Sequence, residues 1–205
     1  MKQIFFVTGT DTDAGKTYSA CALLHHAQQK GLRTLGLKPL ASGAQLCAEG
    51  LRNEDALALM AASSIKLPYE AINPFCFAEP IAPHIAAAHG DVLLSAETIA
   101  QKIQAVLKHT DFDYALIEGA GGWRTPINNS ETLADVVKIL NIPVILVVGL
   151  KLGCLNHALL TREAILADGL PLHGWIANDL GARMPAWQEN VALLRMCFGE
   201  PLVMQ

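Results

Sequence analysis

Charged residues are scarce in this sequence. They occupy 17% of its 205 positions, while apolar residues occupy 52%. The 15 basic and 19 acidic residues give a formal net charge of −4, which argues against a protein that binds duplex nucleic acid, because such a protein needs a clustered basic face. The high apolar content excludes general disorder. We expect one folded domain over residues 1–205, with a large buried core.

Long hydrophobic runs are also absent. The longest clean apolar stretch covers residues 142–150, which is nine positions, whereas a spanning helix needs about twenty. The amino terminus passes directly into a strand-like segment and lacks a small-residue cleavage site. We therefore expect a cytoplasmic protein without membrane contact. Its apolar residues should line a sheet that is covered on both faces.

The cysteines and histidines lack the spacings of structural sites. The five cysteines are scattered and include no Cys-x-x-Cys pair, so neither a disulfide framework nor a thiolate metal site is expected. The histidines form two loose pairs, at 25/26 and 84/89. Neither pair has the i, i+4 spacing that aims two imidazoles from one helix face, so surface or core histidines are expected rather than a zinc site.

Strand and helix patterns alternate along the chain. Strands are predicted over 3–8, 33–38, 113–117, 143–148 and 172–178, and helices over 16–30, 53–62, 95–109, 156–168 and 185–197. The stretch 63–90 is rich in Pro, Ala and His and has no clear periodicity, and such long stretches are often functional. The alternation predicts an α/β fold with a mostly parallel sheet flanked by helices on both faces. Ligands should bind outside the carboxyl ends of the strands.

A phosphate-binding loop joins the first predicted strand to the first predicted helix. The segment 9–17 reads Gly-Thr-Asp-Thr-Asp-Ala-Gly-Lys-Thr, which is close to the P-loop pattern, although its first glycine stands one place early. Backbone N–H groups around Asp13 to Lys16 are expected to hold a triphosphate, with Lys16 at the β- and γ-phosphates and Thr17 on Mg²⁺. The alternative is a plain strand–turn–helix. ATP is favoured over GTP because no Asn-Lys-x-Asp element is present.

Three other charged residues lie at positions where they could bind the metal ion or the phosphates of a nucleotide. Glu118 closes the third predicted strand before a Gly-Ala-Gly-Gly turn, and beside a phosphate loop we favour a magnesium ligand over a solvated turn. Asp55 lies in the first turn of a helix, where a carboxylate usually serves the helix dipole. Lys38 ends the second strand, where a solvated lysine is the simpler interpretation. A second cation there would, however, stabilise a transferring phosphoryl group.

The joint order of these motifs resembles the dethiobiotin synthetase family. The resemblance extends over nearly the whole chain, from Gly9 to about Asp179. It rests on the loop 9–17, Lys38-Pro39-x-x-Ser42-Gly43, Asn53-x-Asp55-Ala56, Ala78-Glu79-Pro80-x-x-Pro83-His84, the segment 118–122, the segment 147–157 and Trp175-Ile176-Ala177-Asn178-Asp179.

The resemblance implies a single-domain P-loop NTPase that acts as an ATP-dependent cyclo-ligase of biotin synthesis. Such a ligase converts 7,8-diaminononanoate (7,8-diaminopelargonate) and CO2 into dethiobiotin, with Mg²⁺ as cofactor and ATP as co-substrate. One amine captures CO2 as a carbamate, and the carbamate oxygen attacks the γ-phosphate. The second amine then closes the cyclic urea, releasing phosphate. The family also implies a homodimer with its active site at the interface.

The resemblance also assigns roles to individual residues. Lys38, Lys16 and Thr12 would act in catalysis, and Thr17, Asp55 and Glu118 would hold the metal. ATP would be bound by Asp13, Ala14, Gly15, Lys16, Thr17, Tyr18, Asp55, Glu118, Gly119, Ala120, Gly121, Asn178, Asp179 and Pro201. The substrate would contact Thr12, Lys38 and Ser42 of one protomer, and Gly153, Cys154 and Asn156 of the other. Cys154 is interpreted as a small interface residue, because no base that would activate it is visible.

Two other functions compete with this interpretation. A partition or septum-positioning ATPase would carry a lysine five residues before the phosphate-loop lysine, where this sequence has Asp11. Its terminal helix would also be basic or amphipathic, whereas 185–197 contains only Arg195 as a basic residue. A cobyrinate-type synthetase normally carries a fused glutaminase domain, for which 205 residues leave no room.

Overall fold

A computed structural model describes residues 2–181 and 184–204. The strands of this part are β1 Gln3–Gly9, β2 Thr34–Leu37, β3 Leu40–Ala41, β4 Gln45–Cys47, β5 Gly50–Arg52, β6 Phe75–Cys76, β7 Tyr114–Gly122, β8 Val144–Leu150, β9 Leu172–Asp179 and β10 Val203–Met204. The helices are α1 Lys16–Gln29, α2 Glu54–Ala62, α3 Tyr69–Ile72, α4 Pro83–His89, α5 Ala96–His109, α6 Leu133–Leu140, α7 Cys154–Ala167 and α8 Trp187–Phe198.

The main sheet contains six strands in the order β10-β9-β8-β1-β7-β2. Every neighbouring pair in this sheet is parallel, which confirms the α/β prediction. The carboxyl ends of all six strands therefore lie along one edge. Because β1 lies between β7 and β8, the loop after β1 is flanked by the ends of both neighbours.

Alternation along the strands divides the core between the two faces of the sheet. Phe5 and Val7 point to the side that packs against Leu24 of α1 and Leu59 of α2. Phe6 points the other way and joins the cluster that contains Ile99 of α5 and Val136 of α6. Side chains of a strand alternate in this way because its repeat is two residues. A sheet covered on both faces explains why the strands are apolar throughout.

Side-chain caps fix where two of the helices begin. The Asn53 side chain accepts a hydrogen bond from the Ala56 N–H, and the Ser95 hydroxyl accepts one from the Thr98 N–H. Both caps agree with the sequence prediction, since a polar side chain satisfies a backbone donor that the first turn leaves free. The Asn53 cap matters for function because it fixes the turn that carries Asp55.

The structure adds elements that the sequence patterns did not predict. Helix α6 begins at a capping box in which Thr132 and Asp135 satisfy each other's backbone groups. The stretch 63–90 contains α3, β6 and α4, which are too short to show a hydrophobic repeat. In the described part of the chain, no helix has the length and apolar character that crossing a membrane requires.

The two-sided core gives a direct stability prediction. Leu116 is 0% exposed within β7, whereas Leu93 is 93% exposed in the loop before α5. We expect Leu116→Ala to lower the free energy of unfolding by about 2–5 kcal/mol, because it leaves a cavity in the core. The matched change Leu93→Ala should alter it by less than about 0.5 kcal/mol. Urea denaturation followed by circular dichroism measures both, and equal losses would contradict this description of the core.

Candidate active site

A cavity of about 870 Å³ opens at the carboxyl edge of the sheet. Its walls come from four parts of the chain: the loop after β1, the segment around the end of β2 and the start of α2, the turn before α4, and the glycine turn that ends β7. Of the predicted residues, those that line it are Thr12, Asp13, Gly15, Lys16, Thr17, Tyr18, Lys38, Ser42, Asp55, Ala120 and Gly121. The structure thus brings distant motifs to one place.

The phosphate loop is held in shape from behind by Asn178. The Asn178 side-chain amide donates a hydrogen bond to the Ala14 carbonyl at 2.9 Å. Gly15 has a φ of +86°, and a Cβ built on it would lie 1.9 Å from that same amide nitrogen. Only glycine fits this position, because it tolerates both the backbone conformation and the close approach. Asn178 and Ala14 were both predicted to bind ATP, and the structure joins them, with Ala14 in the loop and Asn178 packed against it.

Lys16 begins α1 with its side chain already turned back over the loop. Its ammonium donates to the Asp11 carbonyl at 3.1 Å, so the charge lies where the phosphates are expected. Burial, followed by the nearby positive charge of Lys38, lowers the pKa of Lys16 to about 8. A bound phosphate would stabilise the charged form of Lys16, so this site favours the binding of an anion.

Lys38 and Glu118 form a buried ion pair behind the phosphate loop. The Lys38 ammonium lies 2.5 Å from Glu118 Oε1 and 3.1 Å from Asp55 Oδ2, and it also donates to the Gly119 carbonyl at 3.1 Å. Lys38 is 3% exposed and Glu118 is 0% exposed. Burial lowers the pKa of Lys38, but the two carboxylates outweigh that effect and hold it above its ordinary value. The solvated lysine that the residue alone suggests is therefore wrong.

The other two predicted metal ligands, Thr17 and Asp55, both contact this ion pair. The Thr17 hydroxyl donates to Glu118 Oε1 at 2.8 Å. Burial raises the pKa of Asp55, but Lys38 and the Thr17 hydroxyl lower it to below its ordinary value, so the carboxylate stays ionised. Glu118 Oε2 is buried without a hydrogen-bond partner in the described part of the chain. An orphaned carboxylate oxygen beside a hydroxyl and a second carboxylate fits a hard cation such as Mg²⁺, which usually takes only one or two carboxylates.

An ion pair at the mouth of the cavity connects the loop after β1 to the turn after β8. The Lys151 ammonium lies 3.1 Å from Asp11 Oδ2, and the other Asp11 oxygen accepts the Thr12 N–H at 2.8 Å. The hydrogen bond from Lys151 lowers the pKa of Asp11. Asp11 stands at the position where a partition ATPase carries its signature lysine, and the positive charge of Lys151 neutralises its carboxylate. No role for Lys151 was predicted from the sequence, because its partner Asp11 lies 140 residues away.

Several predicted residues lie around the cavity rather than in its wall. Gly119 takes part through its carbonyl, which binds Lys38. Ser42, by contrast, lines the cavity, and its hydroxyl is buried without a hydrogen-bond partner among the described residues, as a substrate-binding group would require. Asp179 closes β9 after Asn178, and Pro201 precedes β10, which pairs with β9. Their assignment to the nucleotide base stays a prediction.

The residues predicted to serve the other protomer do not line this chain's own cavity in the part that the structure describes. Gly153, Cys154 and Asn156 lie at the start of α7. Cys154 is buried, and burial raises the pKa of its thiol, which agrees with an inert small side chain. Their role in substrate binding stays a prediction.

Part of the cavity wall was not predicted from the sequence. The unassigned lining residues include Ala41, Asn53, Thr125, Pro126 and the segment 80–83. The last was recognisable, because Pro80, Pro83 and His84 belong to a matching motif, but no charge or spacing indicated a role. The others depend on how β3, α2 and the β7 turn pack, which no local pattern encodes.

Comparison with known proteins identifies the family. The model of a family described as an AAA domain matches residues 3–204. A protein of Cellvibrio japonicus named ATP-dependent dethiobiotin synthetase BioD is 55% identical over 94% of this chain and 84% of its own length. A protein of Salmonella typhi named ATP-dependent dethiobiotin synthetase BioD 1 is 49% identical over 99% of this chain and 88% of its own length.

Solved structures share the fold at much lower identity. The septum site-determining protein MinD of Pyrococcus horikoshii OT3, complexed with Mg-ADP, has a TM-score of 0.53 at 15% identity and covers 93% of this chain and 77% of its own. The kinase domain of the Escherichia coli tyrosine kinase ETK has a TM-score of 0.52 at 14% identity, covering 89% and 70%. These likenesses show a P-loop NTPase fold. The sequence relatives show more: this chain belongs to the dethiobiotin synthetase family.

Proposed function

We propose that the protein is an ATP-dependent dethiobiotin synthetase that converts 7,8-diaminononanoate and CO2 into dethiobiotin, with release of ADP and phosphate. The observation that carries this proposal is the buried Lys38, whose ammonium lies 2.5 Å from Glu118 and 3.1 Å from Asp55 at the inner wall of the phosphate-loop cavity. A fixed cation at this position suits a reaction that gathers anionic oxygens around a phosphoryl group.

The nucleotide would bind along the loop after β1. Its phosphates would meet the backbone N–H groups of residues 13–16, the amino end of α1 and the Lys16 ammonium. The buried position of Lys16 keeps it from bulk water and strengthens its attraction for phosphate. The adenine would lie on the side of Asn178, Asp179 and Pro201, as the family resemblance implies.

Thr17, Asp55 and Glu118 would hold Mg²⁺. The ion would neutralise charge on the nucleotide's phosphate oxygens, which is the chemistry that metals supply to phosphoryl transfer. The support for this assignment is the unpartnered Oε2 of Glu118 together with the Thr17 hydroxyl and the ionised Asp55.

The substrate would be bound as its carbamate, with Thr12, Ser42 and Lys38 around it. The carbamate oxygen forms a bond to the γ-phosphorus as the bond to ADP breaks, giving a carbamic–phosphoric anhydride. The second amine then bonds to the carbonyl carbon, phosphate leaves, and the amine gives up its proton. Lys38 would stabilise charge on the carbamate and the transferring phosphoryl, and the protein's main contribution is to position the reacting groups.

We further propose that the enzyme is a cytoplasmic homodimer whose active site lies at the interface. Gly153, Cys154 and Asn156 of one protomer would bind the substrate carboxylate in the site of the other. All five cysteines are free thiols in the structure, which fits the reducing conditions of a cytoplasm.

The first prediction from this proposed function concerns substrate dependence. The purified protein should release phosphate from ATP only when both the diamine and bicarbonate are present, and ¹⁴C from labelled bicarbonate should appear in a cyclic urea. The reason is that the carbamate is the nucleophile. Samples that lack the diamine or bicarbonate are the controls. Rapid phosphate release in their absence would favour a partition-type ATPase switch instead.

The second prediction separates chemistry from nucleotide binding at Lys38. Lys38→Met should lower kcat by at least about 100-fold, the scale typical for loss of one electrostatic donor, while the Kd of MgADP changes much less. Removing the ammonium also leaves Glu118 unpaired, which should cost about 3–5 kcal/mol of stability, so kcat is measured well below the unfolding temperature. Lys102→Met, on the exposed face of α5, is the matched control. A Lys38 variant with an unchanged rate would refute this role.

The third prediction concerns Lys16. Lys16→Gln should weaken MgADP binding by roughly 10- to 100-fold, the value of a charge-assisted hydrogen bond to phosphate, and should abolish turnover. Isothermal titration calorimetry measures the binding, with Lys102→Gln as the control. Unchanged affinity would place the phosphates elsewhere.

A further inference from the structure

A chain of buried hydrogen bonds runs from the active-site lysine to the helix that carries Asp55. Its centre is formed by Tyr69, at the start of α3, and Asn73, just after that helix. Tyr69 is 7% exposed and Asn73 is 3% exposed. Neither residue lines the cavity.

One end of this chain fixes the backbone of Lys38. The Asn73 side-chain amide donates to the Lys38 carbonyl at 2.5 Å, and it also approaches the Phe75 carbonyl at 3.4 Å. The Lys38 N–H donates to the Ile72 carbonyl at 3.0 Å. Both backbone groups of Lys38 are therefore bound by α3 and the residue that follows it. This arrangement sets the point from which the lysine side chain reaches Glu118.

The other end fixes the amino terminus of α2. The Tyr69 hydroxyl donates to Asn73 Oδ1 at 2.8 Å and accepts the Asn53 N–H at 2.7 Å. Asn53 in turn caps α2 and donates to the Ser42 carbonyl at 3.4 Å. Asp55 is two residues into the turn that Asn53 caps. A single phenol thus joins the backbone of Lys38 to the supports of Asp55 and Ser42.

The surroundings of Tyr69 keep its hydroxyl in this orientation. The Arg52 guanidinium lies 4.1 Å from the centre of the ring, and Cys76 Sγ lies 3.5 Å from the hydroxyl oxygen. Burial raises the pKa of Tyr69, so the phenol keeps its proton and remains a donor to Asn73. The orientation matters because reversing either bond would leave a buried donor or acceptor unpaired.

We propose that Tyr69 and Asn73 are positioning residues of the active site: their hydrogen bonds set the distance between the Lys38 ammonium and the Asp55 carboxylate and thereby the rate of phosphoryl transfer. The inference rests on the proposed function for its kinetic part. Its physical basis is that a small misplacement of a catalytic group, on the order of 1 Å, costs up to about 100-fold in rate. Connected buried polar groups also act together rather than as separate pairs.

The test compares Tyr69→Phe with Tyr114→Phe. Both changes remove one phenolic oxygen, and burial raises the pKa of Tyr114 to about 12, so its hydroxyl is also shielded. Tyr114, however, begins β7 at the end of the sheet opposite the cavity. Tyr69→Phe should lower kcat by about 10- to 100-fold and change the KM for ATP by less than about twofold. Tyr114→Phe should leave both unchanged.

A second variant distinguishes a connected chain from independent structural effects. Asn73→Ala should lower kcat in the same way, and the Tyr69→Phe/Asn73→Ala double variant should lose less than the product of the two single losses, because the residues share one bond. Losses that multiply, or a Tyr69→Phe enzyme with normal kcat, would overturn the proposal. Denaturation curves of each variant show whether any loss of rate follows a loss of folded protein.

Crystal structures of the wild type and of Tyr69→Phe give a readout that does not depend on activity. The distance from Lys38 Nζ to Asp55 Oδ2, which is 3.1 Å here, should change in the variant, and an unchanged distance would overturn the proposal. If the wild type formed no cyclic urea, the proposed function would fail, and this distance would still decide the positioning role. If the wild type formed it and Tyr69→Phe matched its rate, only the positioning role would fail.

Discussion

The architecture of the site depends on one fully buried carboxylate. Glu118 is 0% exposed in the middle of β7, which the sequence pattern had ended before it, and an ionised group there costs several kcal/mol unless it is paired and hydrogen-bonded. Lys38 and Thr17 supply partners to one of its oxygens, and the other has none among the described residues. The protein therefore compensates the charge of Glu118 through Oε1 and leaves Oε2 without a protein partner, which suits a cation site.

The fold supplies this compensation through strand order. β2 and β7 are neighbours in the sheet, and Leu37 lies opposite Ile117. The next residue on each strand path, Lys38 after Leu37 and Glu118 after Ile117, is therefore brought beside the other. The loop after β1 approaches from the other side of β7, because β1 is its second neighbour. The phosphate loop and the ion pair thus meet without any long flexible connection, and most of the positioning is done by rigid elements.

The site could be predicted from the sequence only in part. The order of the strand and helix patterns and the Gly-Lys-Thr triplet gave the fold, Lys16 and Thr17, because these signals are local. The burial of Lys38 was not recoverable from its own neighbourhood, since its partners are 17 and 80 residues away. Tyr69 and Asn73 lie in a segment without periodicity, and their role depends on hydrogen bonds to β2 and α2 that only the folded chain brings about.

A crystal structure with Mg²⁺ and a non-hydrolysable ATP analogue would show directly whether the Glu118 carboxylate helps to hold the metal ion. We expect the metal against Thr17, Asp55 and Glu118, with the terminal phosphate between the ammonium groups of Lys16 and Lys38. A complex in which the phosphates lie in the loop while Glu118 still binds only protein groups, and Lys38 faces away from the nucleotide, would contradict this expectation.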